Sequence, residues 1–311
     1  MDVFLHAGAH RTATTSFRSY LRDHRIALTA QGVGVWGPGR TRSGLLNGIA
    51  DRPVSAVAAR RAAGRVALNL AAARGRGLST LIVSDENMIG SARRCLRAGA
   101  LYPGIGERMA RLHSAFGGVT GVTLQIRVLD QWWASVMASL IPRGEGVPDA
   151  DALEGLAMAR RGWRQVITDL ACACPGAEIR VTPFECFADR PDLLLRAVSG
   201  RRAVPPAPPG SYLLNRRPDG PRLRDILTQR GETGTRLRCG DSDARWRPFT
   251  EPQAARLRET YADDLYWLRA GADGLATLTE DPEPARPRLN LAAAAMKRGR
   301  HNDRSARKLA P

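Results

Sequence analysis

The chain opens on a short apolar run, Val3-Phe4-Leu5, that breaks at once into small residues and hydroxyls, His6-Ala7-Gly8-Ala9-His10-Arg11-Thr12-Ala13-Thr14-Thr15. A run of this length bounded by small residues reads as a buried strand. Helical spacing begins at Ser16-Phe17-Arg18-Ser19-Tyr20-Leu21. The alternation then recurs. Gly32–Trp36 predicts a short strand running into the glycine-rich Gly37-Pro38-Gly39, residues 53–75 predict an Ala/Arg-rich helix, and Leu81-Ile82-Val83 predicts a buried strand ending at Ser84-Asp85-Glu86-Asn87. Helix 104–116, strand Val122–Arg127, helix Leu129–Leu140, a long helix over 151–173 and strand Glu178–Thr182 follow. Strands that alternate with helices in this way predict an α/β domain, its central, mainly parallel sheet flanked by helices on both faces.

The turn-rich Pro205-Pro206-Ala207-Pro208-Pro209-Gly210 interrupts this pattern without dividing it, because no independent strand set follows. Glu251–Leu268 predicts an amphipathic helix with Thr250 as N-cap. From 281 the chain turns Pro- and Arg-rich. The expected organisation is one domain over 1–280 and a mobile basic tail over 281–311, with a short helix at 289–297.

Composition narrows the class. Hydrophobic residues make up 43% of the 311, enough for a real core. No run approaches the roughly 18 apolar residues of a membrane helix, and the start lacks the layout of a secretory signal. The expectation is a soluble, cytoplasmic protein with no transmembrane segment. Cys95, Cys172, Cys174, Cys186 and Cys239 are odd in number and lack paired CxxC spacing, so ordinary buried thiols and no metal site are expected. The net charge is +17, and Lys297 and Lys308 are the only lysines. A surface this basic attracts anions. Aromatic residues are only 5% of the chain, with no basic–aromatic alternation. Nucleic acid is therefore not the expected partner, and a basic nucleic-acid-binding protein ranks as a second alternative. Nothing in the sequence indicates the oligomeric state.

The opening loop carries the most chemistry. A strand, a tight loop of small residues and a helix N-terminus together direct free backbone N–H groups and the helix dipole at an anion. As a Walker A loop, counting from Gly8 puts Ala13 where the second glycine belongs, Thr14 in the lysine position and Thr15 last. The phosphate-reaching lysine is absent. The dinucleotide fingerprint fails too, since Gly8 is the only glycine in the loop. A basic residue, two small residues and Thr14-Thr15 instead resemble the K-[ST]-G-T-T phosphosulfate loop of the sulfotransferases. The string His6–Thr15 is similar to that of the bacterial and carbohydrate-type members.

The resemblance covers roughly residues 1–270. It implies a P-loop NTPase-like sulfotransferase fold and a donor, 3′-phosphoadenosine 5′-phosphosulfate (PAPS), that leaves as 3′,5′-ADP with no metal required. It implies that Gly8, Arg11, Thr12, Ala13, Thr14 and Thr15 hold the phosphosulfate. It also implies a 3′-phosphate site made by an arginine after a central strand and a serine eight positions on, which are Arg127 and Ser135 here. An arginine fork at a strand end and a hydroxyl two helical turns along can converge on one phosphate. Arg238, in Arg238-Cys239-Gly240, matches loosely a segment that closes over the 3′-phosphate.

Ser84-Asp85-Glu86-Asn87 has the look of a Walker B strand end, which keeps a P-loop nucleotide or small-molecule kinase as the alternative. Sugar- and amine-directed sulfotransferases place a catalytic glutamate here, which implies Glu86 as general base with Asp85 as runner-up. A carboxylate capping the next helix would leave the same trace. Arg11 stands where the family has lysine. It can stabilise charge growing on the leaving phosphate but cannot act as a general acid. His10 is a supplementary donor or a packed loop residue. The acceptor is expected to be a glycan, lipid or small molecule, in a cleft shaped by 32–60 and 141–155.

Overall fold

The computed structural model describes residues 1–51, 55–232, 237 and 245–280. β1 (Asp2–His6) leads into α1 (Thr14–Asp23) and α2 (Arg25–Ala30). β2 (Val33–Trp36), α3 (Pro38–Arg40), α4 (Ala56–Gly75), β3 (Thr80–Ser84), α5 (Ala92–Ala98) and α6 (Ile105–Ala115) come next. β4 (Gly121–Ile126), α7 (Leu129–Leu140), α8 (Ala150–Ala157), α9 (Trp163–Ala173), β5 (Glu178–Pro183), α10 (Phe184–Phe187) and α11 (Pro191–Ser199) follow. α12 (Gly220–Gln229), α13 (Glu251–Arg269) and β6 (Thr277–Leu278) come last. The six strands form one sheet in the order β2-β3-β1-β4-β5-β6, and every pairing is parallel.

β1 and β3 carry apolar residues on both faces because helices cover both, whereas β4 and β5 alternate apolar with polar residues. Val3 and Leu5 of β1, with Leu81, Val83, Leu124 and Ile126, face one core beneath α4, α6, α7, α9 and α13. Phe4, Ile82 and Val33 face the other, closed by Phe17, Tyr20 and Leu21 of α1 and by Leu193–Leu195 and Val198 of α11. Each fully buried Leu or Phe adds about 1.5–3 kcal/mol.

The strand order locates the site. The chain runs from β1 out to the edge at β2, returns to β3 beside β1, then crosses to β4 on β1's other side. Connections diverge at β1, which opens a crevice at the carboxyl ends of β3, β1 and β4.

Several elements depart from their predicted form. α1 begins at Thr14, two residues before the predicted Ser16. The long helix predicted over 151–173 is two helices. Gly162 is extended at the N-cap of α9, and Asp264 of α13 accepts the N–H groups of Trp163 at 2.7 Å and Arg164 at 3.1 Å. A Cβ on Gly162 would lie 2.6 Å from that carboxylate, so the break is built by a distant residue. At the predicted N-cap of α13, Thr250, the Gln253 amide oxygen accepts the Thr250 N–H at 2.9 Å. β6 is too short to carry a sequence pattern. Cys95 and Cys174 are buried as expected, but Cys172 is exposed. Cys239, Arg238, the tail over 281–311 and its helix at 289–297 lie outside the described residues. Among the described residues no helix is long and apolar enough to cross a membrane, and none group as a metal site.

Candidate anion-binding site

The loop after β1 is held by its neighbours. Ala7 and Ala9 continue the pairing with β4 by donating to the carbonyls of Thr123 at 2.9 Å and Gln125 at 3.1 Å. Arg11 and Ala13 then turn into the left-handed region, at φ 67° and 60°. A non-glycine residue there costs on the order of 1–2 kcal/mol, so the surroundings must over-determine the turn. They do so through backbone groups. The Trp132 indole donates to the His10 carbonyl at 2.7 Å, Arg127 donates to the Arg11 carbonyl at 3.0 Å, and the Thr12 hydroxyl donates to the Ala9 carbonyl. Arg127 is itself fixed from behind, since the Trp163 indole donates to its carbonyl at 2.8 Å.

α1 starts from this turn with no side chain capping its N-terminus. Its first N–H groups are left for a ligand. The Thr14 hydroxyl oxygen beside them is enclosed and has no partner among the described residues. Gly8 is required by space: a Cβ there would lie 3.0 Å from both His6 Nε2 and Thr14 Oγ1.

His10 is locked. Its N–H donates to the Tyr102 hydroxyl at 2.8 Å, the hydroxyl donates back to Nδ1 at 2.9 Å, and Nε2–H donates to Asn87 Oδ1 at 3.1 Å. Burial pushes its pKa down, against the pull of Glu86, so the ring is neutral. Both ring nitrogens are occupied.

Arg11 does not lie along the loop. Its Nε donates to Ser135 Oγ and its Nη2 to the Asn215 carbonyl, each at 3.0 Å. The guanidinium is therefore at the locus of Arg127 and Ser135. Arg127 packs over the Phe184 ring at 4.3 Å. Burial lowers it to about 10; Glu185 opposes this, while Arg217, Arg11 and Arg245 add to it.

At the end of β3 the two carboxylates differ. Asp85 is buried and takes a bidentate Arg42, at 2.6 and 3.1 Å, together with the Thr41 hydroxyl and the Asn87 N–H. Burial alone would raise it, but these hydrogen bonds outweigh burial and hold it below the usual carboxylate range. The capping alternative applies to Asp85, the N-cap of the 3-10 turn Glu86–Ile89. Glu86 meets Arg18 with one oxygen and Arg42 with the other, the latter at 3.2 Å.

These groups surround a cavity of about 600 Å³, the size of small-ligand sites. His10, Arg11, Ala13, Thr14 and Thr15 line it from the first loop and the start of α1, Glu86 and Arg127 from the ends of β3 and β4, and Ser135 from α7. Gly8, Thr12 and Asp85 do not; they shape it from behind. Of the segments predicted to shape a cleft, the described residues of 32–60 contribute no lining and 141–155 contributes only Arg143. A stretch after the Pro-rich turn, Leu213–Asp219, forms the opposite wall instead. The sequence reading missed Arg143, Arg216, Arg217 and Arg245, which a chain so rich in arginine does not distinguish. Among the described residues, six arginines and two carboxylates, Glu86 and Asp219, line the cavity. No protein-family model, curated protein or solved structure matches the chain, so the likeness to sulfotransferases rests on these residues alone.

Proposed function

We propose that this cavity binds PAPS and that the protein transfers its sulfuryl group to a hydroxyl or amine. One observation carries the reading. An uncapped helix N-terminus with Thr14 and Thr15, and a separate Arg127–Ser135 pair, open into one cavity. A donor with a 5′-phosphosulfate and a 3′-phosphate needs two such loci. The enclosed Thr14 oxygen without a partner fits an anion at the first.

In this reading the α1 N–H groups, Thr14 and Thr15 hold the phosphosulfate. Arg127, Ser135 and the Arg11 side chain hold the 3′-phosphate. The acceptor oxygen or nitrogen attacks sulfur in line, the bond from sulfur to the phosphate oxygen breaks, and 3′,5′-ADP leaves. Glu86 takes the acceptor proton; to reach it, the acceptor takes the place of one of its arginines. Asp85 is too fully hydrogen-bonded to serve. His10 keeps the loop in shape and donates no proton. The transfer needs no metal, because oriented N–H groups and guanidiniums supply the charge stabilisation. The acceptor class is a glycan, lipid or small molecule.

Incubation of the protein with radiolabelled PAPS and fractionated cell extract tests the activity. Label is expected in one acceptor fraction and lost in Glu86→Gln. Label transfer that persists in Glu86→Gln at the wild-type rate contradicts the assigned base, and its absence from every fraction counts against transfer.

A further inference from the structure

Arg217 lines this cavity with part of its guanidinium unsatisfied. Its Nη1 is enclosed and has no hydrogen-bond partner among the described residues. An enclosed guanidinium N–H without an acceptor is costly, and a ligand oxygen would satisfy it. Arg217 is delivered by Leu213–Asp219, and that segment is tied to the opening loop at two points. The Leu214 N–H donates to Ser16 Oγ at 3.1 Å, and the Asn215 carbonyl accepts Arg11 Nη2 at 3.0 Å. Its far end is fixed where Asp219 caps α12, accepting the Arg222 N–H at 3.0 Å.

Charge points to the same spot. Burial lowers Arg217, Arg11 and Arg127 alike; Arg217 adds to the lowering of the other two, and Arg245 and Arg247 add to its own. The carboxylate that counters Arg217 is Asp130, which is already engaged by Arg258 at 3.0 Å. Around Ser135 the arginines therefore crowd one another, with Glu185 and the already engaged Asp130 as the carboxylates that counter them.

Resting on the PAPS reading, we propose that Arg217 determines donor specificity. Its Nη1 takes an oxygen of the 3′-phosphate beside Arg127, Arg11 and Ser135, so that the site prefers a 3′-phosphorylated nucleotide to a plain one. A guanidinium suits this role because its fork matches a phosphate with more than one bond.

Calorimetric titration of the full chain with 3′,5′-ADP and with 5′-AMP reads the preference directly. Wild type is expected to bind 3′,5′-ADP at least about tenfold more tightly, a difference of about 1.4 kcal/mol. Arg217→Gln is expected to bring the two affinities together by weakening 3′,5′-ADP alone. Arg217→Lys, which keeps the charge and loses the fork, is expected to fall between. A wild-type ratio in both variants overturns the role of Arg217 while leaving the PAPS reading standing. Binding of neither nucleotide by wild type overturns both.

Discussion

The Arg11 guanidinium donates to the hydroxyl of Ser135 at 3.0 Å, across 124 positions of sequence. This bond joins the loop after β1 to α7. It moves the loop's only cation away from the loop and onto the 3′-phosphate locus of the proposed donor site. The loop itself is left with neutral donors: helix N–H groups and two threonine hydroxyls. The same residue carries left-handed strain at φ 67°, so its backbone and side chain have opposite effects on stability.

That opposition is testable. Glycine removes the left-handed penalty and alanine keeps it. Arg11→Gly is expected to be about 1 kcal/mol more stable than Arg11→Ala in denaturant unfolding. Both should weaken 3′,5′-ADP binding about tenfold or more, the loss of charged hydrogen bonds worth about 1.5–3 kcal/mol. Equal stability of the two variants would show that the turn carries no strain.

Gly8 is a test of space. Gly8→Ala forces a methyl to within 3.0 Å of both His6 and Thr14. His6 cannot yield easily: it is fully buried, bonds Ser84 at 2.9 Å, and burial with Arg18 nearby pushes it down to about 3. The variant should lose about 1–3 kcal/mol, read as a lower unfolding midpoint, together with a shift of Thr14 that weakens anion binding. A midpoint equal to wild type would contradict the close packing.

Glu86 separates binding from chemistry. Glu86→Gln removes the proposed base and the partner of Arg18 and Arg42. The turnover number should fall on the order of 10²–10⁴-fold, while affinity for 3′,5′-ADP is held or raised by the freed positive charge. A fall in nucleotide affinity with turnover preserved would mean that Glu86 organises the donor site instead.

Asp264 gives a pH signature. Burial raises its carboxyl to about 6, although Trp163 and Arg164 donate to it. A raised acid binds its proton more tightly when folded, so its contribution is most favourable at low pH and is lost as pH rises from about 4 to about 6. Two units correspond to about 3 kcal/mol. Asparagine mimics the protonated form and does not titrate. The stability of Asp264→Asn relative to wild type should therefore climb by up to this amount between pH 4 and 7, measured by urea unfolding. A difference that stays constant with pH would refute the assignment.

Much of the sheet was legible in the sequence: β1 and β3 are short apolar runs, β2 precedes a glycine-rich turn, and β4 and β5 place apolar residues at alternate positions. α7 was predicted with its observed bounds, Leu129–Leu140. The break between α8 and α9 was not legible, since its cap is Asp264, about a hundred residues away. In the site, small residues before Thr14-Thr15 marked the helix N-terminus, and strand ends marked Glu86 and Arg127. Spacing alone does not show where a long side chain goes, which is why Arg11 was expected along the loop and is found at Ser135. Arg217 had no local pattern to mark it: it is one basic residue among many, brought in by a segment without regular structure.

The central claim is a donor site for a nucleotide carrying two separate anionic groups. Calorimetric titration of the full chain with 3′,5′-ADP and with ATP, each with magnesium and with chelator, tests it most directly. The account predicts that 3′,5′-ADP binds equally well with and without metal, more tightly than ATP, and that Arg127→Gln abolishes the difference. No heat from 3′,5′-ADP, with ATP bound only in the presence of magnesium, would contradict it and point to a kinase.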